Sequence, residues 1–85
     1  MNEYQIIISS SARKQLDKLN NVIASPILER ITLLRLNPRP KGYKKLSGRT
    51  GYRIRVGNYR ILYDIVDDLL IIEVITIGHR KDVYG

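Results

Sequence analysis

Two residues, Gly57 and Asn58, constrain this chain more than any others, because they separate two runs in which apolar and polar side chains alternate. Before them Tyr52, Ile54 and Val56 are interleaved with Arg53 and Arg55, and after them Tyr59–Val66 resumes the pattern. A period of two sends successive side chains to opposite faces of a strand. Gly-Asn between two such runs predicts a two-residue hairpin, in which one or both central residues take positive φ. The turn sets the register: Val56 opposes Tyr59, Arg55 opposes Arg60, Ile54 opposes Ile61 and Arg53 opposes Leu62. One face then offers Ile54, Val56, Tyr59, Ile61, Tyr63 and Ile65 to a core, while the other carries Arg53, Arg55 and Arg60. A slip of one residue would exchange the two faces.

The remaining elements follow from local signals. Tyr4–Ser9 reads as a strand, with Ile6, Ile7 and Ile8 continuous and buried. Ser9-Ser10-Ser11 supplies N-cap candidates for a helix over Ala12–Leu19, which Asn20-Asn21 breaks. Ser25-Pro26 reads as N-cap and first position of a second helix, with Ile27, Leu28, Ile31 and Leu34 as its apolar stripe. A start at Val22 instead would cost a hydrogen bond near Pro26. Asn37-Pro38-Arg39-Pro40 ends this helix, and Lys41–Thr50 is a basic, Gly-containing connection. Asp67-Asp68 makes a second, weaker turn into a strand over Leu69–Ile77, and Gly78–Gly85 forms a tail. That turn extends the polar face to Asp64 and Glu73, with Leu62, Ile71 and Ile75 between them. The expected fold is a single α+β domain over residues 1–85: an antiparallel meander sheet joined by an N-terminal strand, with a two-helix hairpin packed on one face.

Composition then narrows the function. The 85 residues hold 15 Lys plus Arg, 8 Asp plus Glu, one His and no Cys, for a net charge of +7. Without Cys there is no disulfide framework, no Cys-based zinc site and no thiol nucleophile. The apolar runs Leu69–Ile72 and Val74–Ile77 are too short to span a bilayer. The first residues lack the basic and apolar regions of a signal peptide, so a soluble cytoplasmic protein with no membrane partner is expected. The charge is concentrated: ten bases and no acid lie between Glu29 and Asp64, while the rest of the chain is slightly acidic. Clustered Lys and Arg of this kind suit a polyanion.

Arg55 directly across from Arg60 sharpens that expectation, since opposed like charges destabilise a sheet. Either Glu73 neutralises the pair, or three guanidinium groups converge where an anion sits. Guanidinium forks match phosphate oxygens bidentately, which favours the second reading. Cleavage of RNA by its own 2′-hydroxyl requires a base, an acid and cationic stabilisation of the phosphorane. A single His rules out a two-histidine pair, leaving Tyr84, His79 and lysines as proton-transfer candidates, with arginines for charge. Arg cannot be the base, whereas adjacent guanidinium groups lower the pKa of a tyrosine from about 10. The tail Gly78-His79-Arg80-Lys81-Asp82-Val83-Tyr84 can fold over the sheet toward the arginines. Asp67 and Asp68 fit turn positions better than metal ligands, the serines fit caps, and no Gly-rich phosphate loop is present. No metal and no cofactor is expected.

As a set, Lys45-Leu46, Tyr52-Arg53-Ile54-Arg55-Val56, Asn58-Tyr59-Arg60-Ile61-Leu62-Tyr63 and Ile77-Gly78-His79-Arg80-Lys81-Asp82-Val83-Tyr84 resemble the RelE/ParE superfamily of toxins, and within it the RelE branch. The resemblance covers the whole chain and implies the same element order. It implies a type II toxin–antitoxin toxin that cleaves mRNA in the ribosomal A site without metal, leaving a cyclic phosphate. By the same resemblance Arg60 and Arg80 are phosphate or transition-state stabilisers, and Tyr84 is the catalytic and base-stacking tyrosine. Arg53 and Arg55 occupy basic strand positions that are lysines in better-known members, so the general base passes to Tyr84, with His79 in reserve. Lys44, Lys45, Arg49 and His79 are expected RNA contacts. The implied partners are the ribosome, mRNA and a cognate antitoxin, an acidic, amphipathic segment that wraps the toxin and through which the complex binds operator DNA. The alternative is the ParE branch, which inhibits DNA gyrase without cutting RNA.

Overall fold

The computed structural model describes residues 3–48 and 50–79. In chain order the elements are β1 (Gln5–Ile8), α1 (Ser10–Asp17), α2 (Asn21–Leu33), β2 (Lys44–Lys45), β3 (Tyr52–Val56), β4 (Tyr59–Val66) and β5 (Ile71–His79). They form one five-stranded sheet in the order β1-β5-β4-β3-β2. The strands β3, β4 and β5 make the expected antiparallel meander, β2 adds antiparallel to β3, and β1 runs parallel to β5. Ala12 from α1 and Ile27 and Ile31 from α2 join Ile54, Ile61, Tyr63, Ile72, Val74 and Ile77 of the sheet in one buried core. None of the described helices is long and apolar enough to cross a membrane.

The hairpin register is the one read from the sequence, Val56 to Tyr59, Arg55 to Arg60, Ile54 to Ile61 and Arg53 to Leu62. Gly57 has φ of 60°, and Asn58 is not among the residues with positive φ. That combination is a type II′ turn, whose twist matches the strands.

Other expectations are corrected. The first strand is the four-residue edge segment β1, and Ile7 is 44% exposed rather than buried. An edge strand with helices on one side only leaves every second side chain on the open face. The first helix begins at Ser10 and ends at Asp17, with the Ser9 hydroxyl accepting from the Ala12 amide at 3.0 Å. The second helix begins at Asn21, one residue before the alternative start at Val22 and not at Ser25-Pro26, because the Asn20 side chain caps it by accepting from the Ile23 amide at 3.1 Å. Pro26 therefore lies inside the helix and withholds the amide that would reach Val22; Val22 is 84% exposed, so solvent can reach that turn.

The connection after α2 contains β2, where no strand was expected. The second hairpin closes through a single 3-10 turn, Asp67–Leu69, with Leu70 at φ 54°, so the last strand starts at Ile71 and not at Leu69. It also continues through Gly78 and His79, which belong to β5 and not to a tail. A bulge in β5 shifts the register between Leu62 and Tyr63, so Thr76, not Ile75, lies across from Leu62. Past the end of β1 the outer edge of β5 is completed by side chains. The Ser9 hydroxyl donates to the Ile75 carbonyl at 2.8 Å, and the Gln15 carbonyl accepts from the Ile77 amide at 2.7 Å. Backbone groups that would otherwise be orphaned are thereby satisfied.

Candidate nucleic-acid interface

Directly opposed residues of paired strands share a face, so the register lays out the side of the sheet away from the helices. One row runs Lys44, Arg53, Leu62, Thr76, and the next runs Arg55, Arg60, Gly78. At the other end Asp64 faces Glu73, with Ile7 beyond it on β1. The face is therefore polarised, cationic toward β2 and β3 and anionic toward β1. Glu73 has Asp64 as its cross-strand neighbour, and among the described residues neither Arg53 nor Arg55 forms a salt bridge. The rows that carry Lys44, Arg53, Arg55 and Arg60 hold no carboxylate.

The guanidinium groups sit at graded depth. Arg60 is 5% exposed, Arg53 is half-buried and Arg55 is exposed. A cation at the depth of Arg60 attracts an anion more strongly than one in open water, and Gly78 across from it adds no side chain to that face. Beside β3 an open cleft of about 370 Å³ is lined by Arg30, Lys41, Gly42, Lys44, Arg53 and Arg55. Arg30 and Lys41 were missed by sequence reasoning. The available signal was the position of Arg30 beside Ile31 and three residues after Ile27, both buried, which puts it on the flank of the buried stripe of α2.

Two central bases are committed elsewhere. Arg35 pairs with Glu3 at 2.7 Å and Arg39 with Asp67 at 3.0 Å. Asp67 also accepts from the Tyr4 hydroxyl at 2.6 Å, and Arg39 lies 5.5 Å from the centre of the Tyr52 ring. Hydrogen bonding from Arg39, and then from Tyr4, holds the Asp67 carboxyl below its usual range, which fits the turn role expected of Asp67.

The candidate residues divide accordingly. Lys44, Arg53, Arg55 and Arg60 come together on the outer face. Lys45 does not join them, since it opposes Tyr52 on the helix side. His79 opposes Tyr59, their rings edge-on at 5.6 Å, so the bulge turns it to the helix side as well. Arg49, Arg80 and Tyr84 lie outside the described residues. The cationic half of the face can hold phosphates and stabilise negative charge that develops on them.

The family described as the ParE toxin of the type II toxin–antitoxin system parDE matches residues 6–84. A RelE-like toxin protein of Escherichia coli is 29% identical over 86 aligned residues, covering 96% of this chain and 90% of that protein. The archaeal RelE–RelB complex of Pyrococcus horikoshii contains a chain that superposes with a TM-score of 0.83 at 26% identity, covering 94% of this chain and 98% of that one. A chain of the RelBE2 toxin–antitoxin complex of Mycobacterium tuberculosis superposes with a TM-score of 0.81 at 27% identity, covering 92% and 99%.

Proposed function

The chain belongs to the RelE/ParE superfamily of type II toxin–antitoxin toxins, and from that membership we propose that it is a cytoplasmic, ribosome-dependent mRNA endonuclease. The observation that carries this reading is the Arg55–Arg60 opposition, flanked by Arg53 and Lys44 with no acid in those rows. A site of this kind suits a phosphate that gains negative charge in the transition state. The 2′-hydroxyl of the substrate loses its proton to a base as its oxygen bonds to the adjacent phosphorus. The bond from phosphorus to the 5′-oxygen breaks, and that oxygen takes up a proton, leaving a 2′,3′-cyclic phosphate. Arg60, Arg55, Arg53 and Arg80 stabilise the phosphorane. Tyr84 serves as base, because guanidinium does not deprotonate whereas a phenol can lose its proton.

None of these groups is a strong base at neutral pH, so efficient cleavage depends on a substrate held in attack geometry by the ribosome. Two of the similar solved structures are complexes of a RelE-type toxin with its antitoxin, which supports a cognate antitoxin as the restraining partner here. The second reading, inhibition of DNA gyrase, is favoured by the ParE description of the matching family. Mapping mRNA 5′ ends after brief expression, alongside a supercoiling assay on purified gyrase, separates the two. We expect new 5′ ends within translated codons and unimpaired supercoiling. Intact mRNA with inhibited gyrase would replace the first reading by the second.

A further inference from the structure

The cleft beside β3 has a composition that structural needs do not explain. Five of its six lining residues are cationic, namely Arg30, Lys41, Lys44, Arg53 and Arg55, and no acid lines it. Among the described residues none of the five forms a salt bridge. Like charges therefore gather in the cleft with no acid among its lining residues, an arrangement that attracts an anion.

Two of these cations are put there by separate local devices. In Pro40-Lys41-Gly42-Tyr43 the Tyr43 amide donates to the Pro40 carbonyl at 3.0 Å, and Gly42 has φ of 93°. That is a type II turn, which needs a residue tolerant of positive φ at its third position, and it presents Lys41 at the second. Arg30 comes from α2, on the flank of the stripe that packs on the sheet. A helix, a turn and two strands thus contribute cations to one concavity.

We propose that this cleft is a second phosphate site, taking a backbone phosphate of single-stranded RNA next to the one held by Arg55 and Arg60, with Arg30 and Lys41 as its outer ligands. The role deepens the endonuclease reading and rests on it for the class of ligand. The cleft's volume of about 370 Å³ lies at the small end of ligand pockets, room for a nucleotide unit and not for a packed helix. An acidic peptide would need apolar anchor points beside its charges, and the lining offers none. Arg53 and Arg55 border both sites, so successive phosphates of one strand can be tracked by adjacent side chains.

The test uses the full chain and a fluorescent 2′-O-methyl RNA oligonucleotide, which lacks the attacking hydroxyl and so reports binding independently of cleavage. Arg30→Gln with Lys41→Gln should weaken binding about tenfold and flatten the log–log salt dependence by about 0.7, the share of the one single-strand phosphate contact that is lost. Lys14→Gln with Lys18→Gln, on and just after α1, removes equal charge away from the cleft and should leave the slope unchanged. Arg30→Lys with Lys41→Arg should retain the slope, which distinguishes charge from packing. Equal slopes for the two double glutamine variants would overturn the assignment. So would tighter binding of poly-glutamate of matched charge than of the RNA. Binding that depends on Arg30 and Lys41 in a protein that leaves cellular mRNA intact would uphold the phosphate site while removing the endonuclease reading.

Discussion

Tyr63 ties the centre of the sheet to the segment that follows α2. Its side chain is fully buried, and its hydroxyl donates to the Pro38 carbonyl at 2.7 Å. Replacing it by Phe leaves that carbonyl without its buried donor, so Tyr63→Phe should lower stability by about 1–3 kcal/mol in urea denaturation. Burial pushes the Tyr63 phenol up to about 12, from an ordinary value of 10.0. The folded state therefore keeps a proton that the unfolded chain loses first. The stability this provides is complete below pH about 10 and is lost as pH rises toward about 12. Denaturation midpoints should fall across that interval in the wild type and fall less in Tyr63→Phe. Asp67 has the opposite sign: its carboxyl is held low by Arg39 and Tyr4, so its contribution is present above the normal carboxylate range and disappears as pH falls through the depressed value. Asp67→Asn should flatten the acid limb of the stability profile.

At the scale of elements, the hairpin β3–β4 sets the site. With φ of 60° at Gly57, a side chain there meets the left-handed penalty of about 1–2 kcal/mol. Gly57→Ala should destabilise the protein by about that amount while leaving Arg55 opposite Arg60 in whatever fraction remains folded. Pro26 gives the opposite expectation. Its interior-helix penalty of about 3 kcal/mol exceeds the unfolded-state entropy of at most about 1 kcal/mol that proline removes. Pro26→Ala should therefore raise stability by about 1–2 kcal/mol, read as a higher urea midpoint at unchanged m-value. These two positions also show what a sequence makes legible. At Gly57-Asn58 the turn chemistry and the flanking alternation agree, so the register of Arg53, Arg55 and Arg60 could be read directly. At Pro26 two local rules conflict, and the cap at Asn20 prevails over the start favoured at Ser25-Pro26. The bulge in β5 leaves no local trace, because the groups that complete the strand edge come from Ser9 and Gln15, far away in sequence. His79 was consequently expected near the arginines and lies on the other face. The strand β2 escaped notice because two lysines carry no apolar alternation.

For the whole molecule, a net charge of +7 resolves into assigned parts. Arg35 and Arg39 close ion pairs at the end of the sheet that carries Asp67, and a cationic half-face and its adjoining cleft remain for a polyanion. Lys44 lines that cleft and Lys45 points the other way. Lys44→Ala should thus weaken ribosome binding and make its salt dependence shallower by about one phosphate contact, whereas Lys45→Ala should do so less. The central claim is that the arginine face stabilises the cleaved phosphate. It is tested most directly in a purified translation system, by following cleavage of mRNA on stalled ribosomes with the wild type, Arg55→Gln and Arg60→Lys. Circular dichroism on the same samples checks that each is folded. Cleavage should fall about a hundredfold or more in both folded variants, because Arg55→Gln removes a charge and Arg60→Lys keeps the charge but loses the fork. Cleavage at the wild-type rate by both would contradict the account.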